Sequence, residues 1–126
     1  MKKVALIVVC LLTTLFSYSQ SFSKVLRSAK LEYKEGEWVK VEEQYPEDYF
    51  IILDGYNVTI GTHKFKTYGE SEKTTYDDHV VLTWKCVNKN GDKCLFMMKK
   101  FRPEVTTHTV FGIGYDTGVI YEYETE

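Results

Sequence analysis

Tyr76-Asp77-Asp78-His79 is the densest run of metal-capable side chains in the chain. Its carboxylates and imidazole could ligate a divalent cation, with His63 or His108 joining from elsewhere. Adjacent side chains on a strand point to opposite faces, so Asp77, Asp78 and His79 converge only if a turn carries them. Two neighbouring aspartates favour a turn in any case. A solvated loop is the simpler expectation. Asp77 and His79 stand as weak metal candidates, and no cofactor is expected.

Cys86 and Cys94 are the next chemically capable pair. They form no Cys-x-x-Cys redox motif, and neither has a histidine beside it. The expected chemistry is a disulfide between them. Closing so short a loop stabilises a fold by about 2–3 kcal/mol in the chain-entropy account.

Asp116-Thr117-Gly118 spells the triplet found in aspartic proteases. A lone carboxylate lacks the second that would share its proton. A hairpin loop explains the same residues, with glycine taking positive φ. No Gly-x-Ser-x-Gly, phosphate loop or His-Glu-x-x-His is present. No catalytic residue is therefore assigned, and nothing in the sequence supports an enzyme.

The start of the chain bears on compartment. Met1-Lys2-Lys3 is a short basic start, Val4 to Phe16 is an apolar run, and Ser17-Tyr18-Ser19 places small residues at a cleavage spacing. That layout predicts a secretory signal peptide over residues 1–19 and a single domain over 20–126. Export to a bacterial periplasm or the medium follows. Cys10 lies inside the apolar run, with Leu11 and Leu12 beyond it, which argues against a lipid-anchored cysteine. The mature chain then keeps an even pair of cysteines in an oxidising compartment.

The 16 basic and 18 acidic side chains become 14 and 18 without Lys2 and Lys3, a net charge of −4. That balance argues against a nucleic-acid partner. Lys99, Lys100 and Arg102 form the one dense basic cluster. Glu42, Glu43, Glu47 and Asp48 make an acidic stretch around Tyr45-Pro46. Asn57-Val58-Thr59 fits a glycosylation sequon, relevant only in a eukaryotic secretory route. No membrane span is expected in the mature chain.

Strands must position these residues. Aromatics make up 15% of the chain, with 10 tyrosines, and suit half-buried strands. Alternating segments flank Lys34-Glu35-Gly36, Asp54-Gly55, Lys89-Asn90-Gly91 and Asp116-Thr117-Gly118. A three-residue loop at Gly91 sets Trp84 opposite Phe96, Leu82 opposite Met98 and Cys86 opposite Cys94; a two-residue Asn90-Gly91 loop would instead bring Leu95 and Met97 inward. The last pair sets Ile113 opposite Tyr121 and Phe111 opposite Tyr123. Around Asp54-Gly55, Ile51 meets Val58 and Tyr49 meets Ile60. The first hairpin turns Leu31, Val39 and Val41 inward and Trp38 away. Gly61-Thr62 can close a further hairpin, Tyr68-Gly69-Glu70 is another turn candidate, and Ser23 to Ala29 reads as a leading strand or a helical cover. Gly112 and Gly114 share one strand face and suit a bent strand or a ligand lying on bare backbone. The sum is all-β, an antiparallel meander of roughly eight to ten strands forming a small barrel or two-sheet sandwich.

Gly36-Glu37-Trp38 resembles the Gly-x-Trp that opens the first strand of lipocalins. That resemblance implies an antiparallel barrel holding a small apolar ligand in a central cup. The function expected first is an exported, non-catalytic binding module for a small apolar or aromatic ligand. Tyr49, Tyr56, Trp84, Phe96, Phe111, Tyr121 and Tyr123 are the candidates to line its site, with core packing as their simpler role. A protein–protein or inhibitor module of the cell envelope is the alternative, using Tyr33, Tyr45 and Tyr68. An unrecognised enzyme or metal site around Asp77 and His79 is the third.

Overall fold

A computed structural model describes residues 20–126. The leader reading of residues 1–19 lies outside the described residues. Nine strands follow in order: β1 (Ser21–Lys34), β2 (Glu37–Gln44), β3 (Phe50–Asp54), β4 (Asn57–Ile60), β5 (His63–Thr75), β6 (His79–Asn88), β7 (Lys93–Phe101), β8 (Thr109–Tyr115) and β9 (Val119–Thr125). Each of β3 to β9 pairs antiparallel with its neighbour in sequence, and β1 closes the ring by pairing with both β9 and β3. The result is a closed barrel of eight strands, with β2 appended to β1 outside it. Closure decides between barrel and sandwich, and it removes the free edges that an open sheet would expose.

Alternation sorts the side chains. Val25, Ile51, Val58, Ile60, Phe96, Phe111 and Ile113 point inward and are buried. Trp84 stacks on Phe96 at 5.5 Å between ring centroids, and Phe96 on Phe111 at 5.9 Å. With Met98 and Leu53 these rings fill the end of the barrel where β1 begins. Eight strands enclose an interior just wide enough for side chains or one small ligand.

Turn chemistry sets the registers. The Gly91 and Gly118 loops are three residues long, with glycines at φ 83° and 85°, and give the expected Trp84–Phe96, Leu82–Met98, Cys86–Cys94, Ile113–Tyr121 and Phe111–Tyr123 partners. The two-residue Asn90-Gly91 loop is not adopted, so Leu95 and Met97 face outward. Gly61-Thr62 closes the β4–β5 hairpin, with Ile60 opposite His63.

Several expectations are corrected. The β3–β4 turn is Gly55-Tyr56, not Asp54-Gly55, so Ile51 faces Ile60 and Leu53 faces Val58. Glycine at the first central position of a two-residue loop needs φ > 0, and Gly55 has φ 60°. The shift is even, so the inward set survives. The β1–β2 turn is Glu35-Gly36, with φ 50° and 82°, the signature of a type I′ loop. That odd shift pairs Tyr33 with Trp38 and Glu32 with Val39. Leu31 and Trp38 therefore share the outer face, while Val39 and Val41 are exposed. Trp38 stands on the appended strand, not on the first barrel strand as the lipocalin resemblance implies. Tyr68-Gly69-Glu70 is no turn; it lies within β5, where the pairing with β6 slips between Tyr68 and Glu72. Ser23 to Ala29 is strand throughout.

Among the described residues no helix is long and apolar enough to cross a membrane.

Candidate functional site

The ring is incomplete at one end. Toward the start of β1, Ser21 to Lys24 pair with β3, and toward its end, Ser28 to Lys34 pair with β2 instead. β2 is exposed along its whole length. The wall between β1 and the β4–β5 turn is therefore left to β2 and the Tyr45–Tyr49 connection. The barrel opens there and at the adjacent mouth ringed by the Gly61, Gly91 and Gly118 turns.

Two connected hollows occupy this end. The mouth holds about 380 Å³ and is lined by Phe65, Ile113, Tyr115, Val119, Tyr121 and Tyr123, with His63, Asn88, Asp92 and Thr117 at its rim. The side window holds about 250 Å³. Tyr49, Tyr121, Tyr123 and His63 line the window with Ser28, Lys30, Glu42, Gln44 and Pro46, so Tyr121, Tyr123 and His63 belong to both spaces. The mouth alone falls in the range of small-molecule sites, about 300–1,000 Å³, and the window adjoins it.

Registry explains the tyrosines. Tyr115, Tyr121 and Tyr123 occupy inward positions on β8 and β9, beyond the aromatic fill. Tyr115 and Tyr121 meet edge-on at 6.3 Å, and Tyr49 stacks on Tyr123 at 6.2 Å. Burial, with Tyr49 adding, pushes the Tyr123 phenol well above its ordinary value. Burial raises Tyr49 and Tyr115 too. These three phenols stay neutral at any physiological pH, so their ring faces and hydroxyl tips carry no charge, while Asp92 stands at the rim and Glu42 in the window. Lys30 points to the same side; its Nζ lies 5.9 Å from the Tyr121 ring centroid and 3.7 Å from a Glu32 carboxylate oxygen.

The sequence candidates divide. Tyr49, Tyr121 and Tyr123 meet at the cup. Trp84, Phe96 and Phe111 fill the interior beneath it. Tyr56 is 67% exposed in the β3–β4 turn and joins neither group. Sequence reasoning missed Tyr115, Phe65, Val119 and His63. The signal for Tyr115 was present: it stands on the inward parity of Phe111 and Ile113.

His79 hydrogen-bonds Asp78 through Nδ1 at 2.6 Å, stacks on Tyr76 and meets Phe101 at a tilt. That bond holds the Asp78 carboxyl below its usual range. Among the described residues no three His, Cys, Asp or Glu side chains gather as a metal-ligating group. His108 pairs with Glu124 at 2.8 Å, and no described hydroxyl or thiol hydrogen-bonds either ring as an activated nucleophile would. Cys86 and Cys94 face each other across β6 and β7, buried, with sulfurs 2.7 Å apart. Burial raises both thiols, which makes either a poor nucleophile. Asp116 lies exposed in its turn.

The bare strand face at Gly112 and Gly114 is partly filled. Met97 lays its Cε against both glycines, where an added Cβ would stand 3.3 Å away.

No protein-family model, no curated protein and no solved structure matches this chain.

Proposed function

We propose that the protein is an exported, non-catalytic binding module that holds one small, uncharged, largely aromatic compound in the tyrosine-lined mouth of its barrel. The observation that carries this is the division of the interior: an aromatic fill below, and an open cup of neutral phenols above. Ring faces favour planar apolar matter, while hydroxyl tips and the His63–Asn88–Asp92 rim orient one polar edge. The expected signal peptide delivers the domain to the periplasm or beyond, where a Cys86–Cys94 disulfide forms against an oxidising environment. The lipocalin-like resemblance agrees in architecture; the compound is inferred from the cup alone.

The neutral fluorophore N-phenyl-1-naphthylamine tests this reading. Saturable fluorescence enhancement at one site per protein is expected. Tyr121→Ala should weaken it by about tenfold, the loss of roughly one aromatic contact. Absence of saturable binding, or full binding by the variant, overturns the proposal.

A further inference from the structure

The outward residues of β7, β8, β9, β1 and β2 form a second concavity, on the barrel wall and apart from the mouth. Gly112 and Gly114 give it a floor that Met97 partly covers and that Ile120 and Leu31 extend. Leu95 and Met97 stand on one side and Trp38 on the other. Two hollows of about 310 and 480 Å³ adjoin there and share Trp38, Met97 and Ile120. Beside them stands a knob. Tyr33 and Trp38 pack edge to face at 5.2 Å and are 55% and 48% exposed. Tyr68 and Leu95 are exposed across the groove. The groove and the knob thus put Tyr33, Trp38, Tyr68 and Leu95 exposed on one face, and exposed apolar clusters mark contact sites.

The charges around this face are sorted by side. Lys85 and Lys93 stand on β6 and β7 and Asp116 on the β8–β9 turn, while Lys99 and Glu122 face each other at 4.0 Å within the chain. β8 runs between the two sets. A two-fold axis along β8, lying in the interface, lays β7 of one copy over β9 of its partner. Lysines then meet carboxylates twice, and each Tyr33–Trp38 knob meets the wall formed by Leu95 and Tyr68. A surface that complements itself under a two-fold rotation is what an isologous contact requires.

We propose that this face is the interface of a symmetric homodimer, the occupant of the groove being a second copy of the chain. The dimer leaves Tyr49, Tyr121 and Tyr123 free, because of the cup residues only Tyr115 also borders the groove.

Charge reversal provides the test, read by light scattering on the eluted mature protein. Lys85→Glu with Lys93→Glu reverses the basic side, and Asp116→Lys reverses the acidic side. Wild type is expected as a dimer at micromolar concentration. Each reversed variant should be monomeric alone, and an equimolar mixture should recover the dimer mass, because only opposed faces attract. Leu95→Asn, at an exposed position, should give a folded monomer without changing the charges. A monomeric wild type, reversed variants that dimerise like wild type, or a mixture that stays monomeric overturns the proposal.

Discussion

Tyr49 lays its ring against the bare backbone of Gly61. A Cβ at Gly61 would fall inside the van der Waals envelope of that ring. The Tyr49 hydroxyl donates to the Ile60 carbonyl at 3.4 Å, and the ring stacks on Tyr123. Gly61 thus places one wall of the cup. Gly61→Ala should displace Tyr49 and strain a backbone held at φ 60°. The left-handed conformation alone costs a non-glycine residue about 1–2 kcal/mol. The expected outcome is a melting temperature lower by about 5–10 °C, together with weakened naphthylamine binding. Unchanged stability and binding would show that Tyr49 does not depend on Gly61.

Cys86 and Cys94 are placed to cross-link β6 to β7. Thiol labelling of denatured, unreduced protein isolated from the export compartment should find no free cysteine. Cys86→Ser with Cys94→Ser should lose about 2–3 kcal/mol of stability. Two titratable thiols in the wild type would remove the disulfide from the fold.

Phe111 tests the aromatic fill. It is 3% exposed and stacked on Phe96. Phe111→Ala should cost about 3–5 kcal/mol through lost burial and the cavity left behind, measured by urea denaturation. A loss below about 1 kcal/mol would mean a loosely filled interior.

Glu124 gives the fold a pH dependence. Its carboxyl is held below the ordinary 4.5, first by the His108 hydrogen bond and then by Arg27. Arg27 also reaches Glu43, which ties β9, β1 and β2 together. A lowered folded value means stability that is fully present above the ordinary value and lost as pH falls through the lowered one. Glu124→Gln should therefore reduce the melting temperature at neutral pH and converge with wild type in acid. The side chains involved are 27–38% exposed, so solvent screening holds the effect to about 1 kcal/mol. Parallel melting curves for the two proteins between neutral and acid pH would exclude this role.

Which side chains face inward was legible wherever a glycine fixed the loop length. Gly91 and Gly118 end three-residue loops, and the partners on either side follow from them. At Gly55 the loop moved by one residue yet the faces held, because the pairing shifted by an even step. The first hairpin failed because Glu35, a residue without glycine's freedom, takes positive φ. That single displacement turned Leu31 outward and put Trp38 beside it. The cup was half legible. Tyr49, Tyr121 and Tyr123 follow from parity, but the opening itself depends on where β1 exchanges β3 for β2 along one edge. Alternation within a strand carries no mark of that exchange. The outer groove was foreshadowed by Gly112 and Gly114, whose bare face proved to lie outside the barrel.

Nuclear magnetic resonance titration of the ¹⁵N-labelled mature protein with N-phenyl-1-naphthylamine tests the central claim most directly. Saturable amide shifts confined to His63, Ile113, Tyr115, Tyr121, Tyr123 and their neighbours are the predicted result. Shifts confined to Leu31, Met97 and Gly112, or none that saturate, would contradict a ligand cup at the barrel mouth.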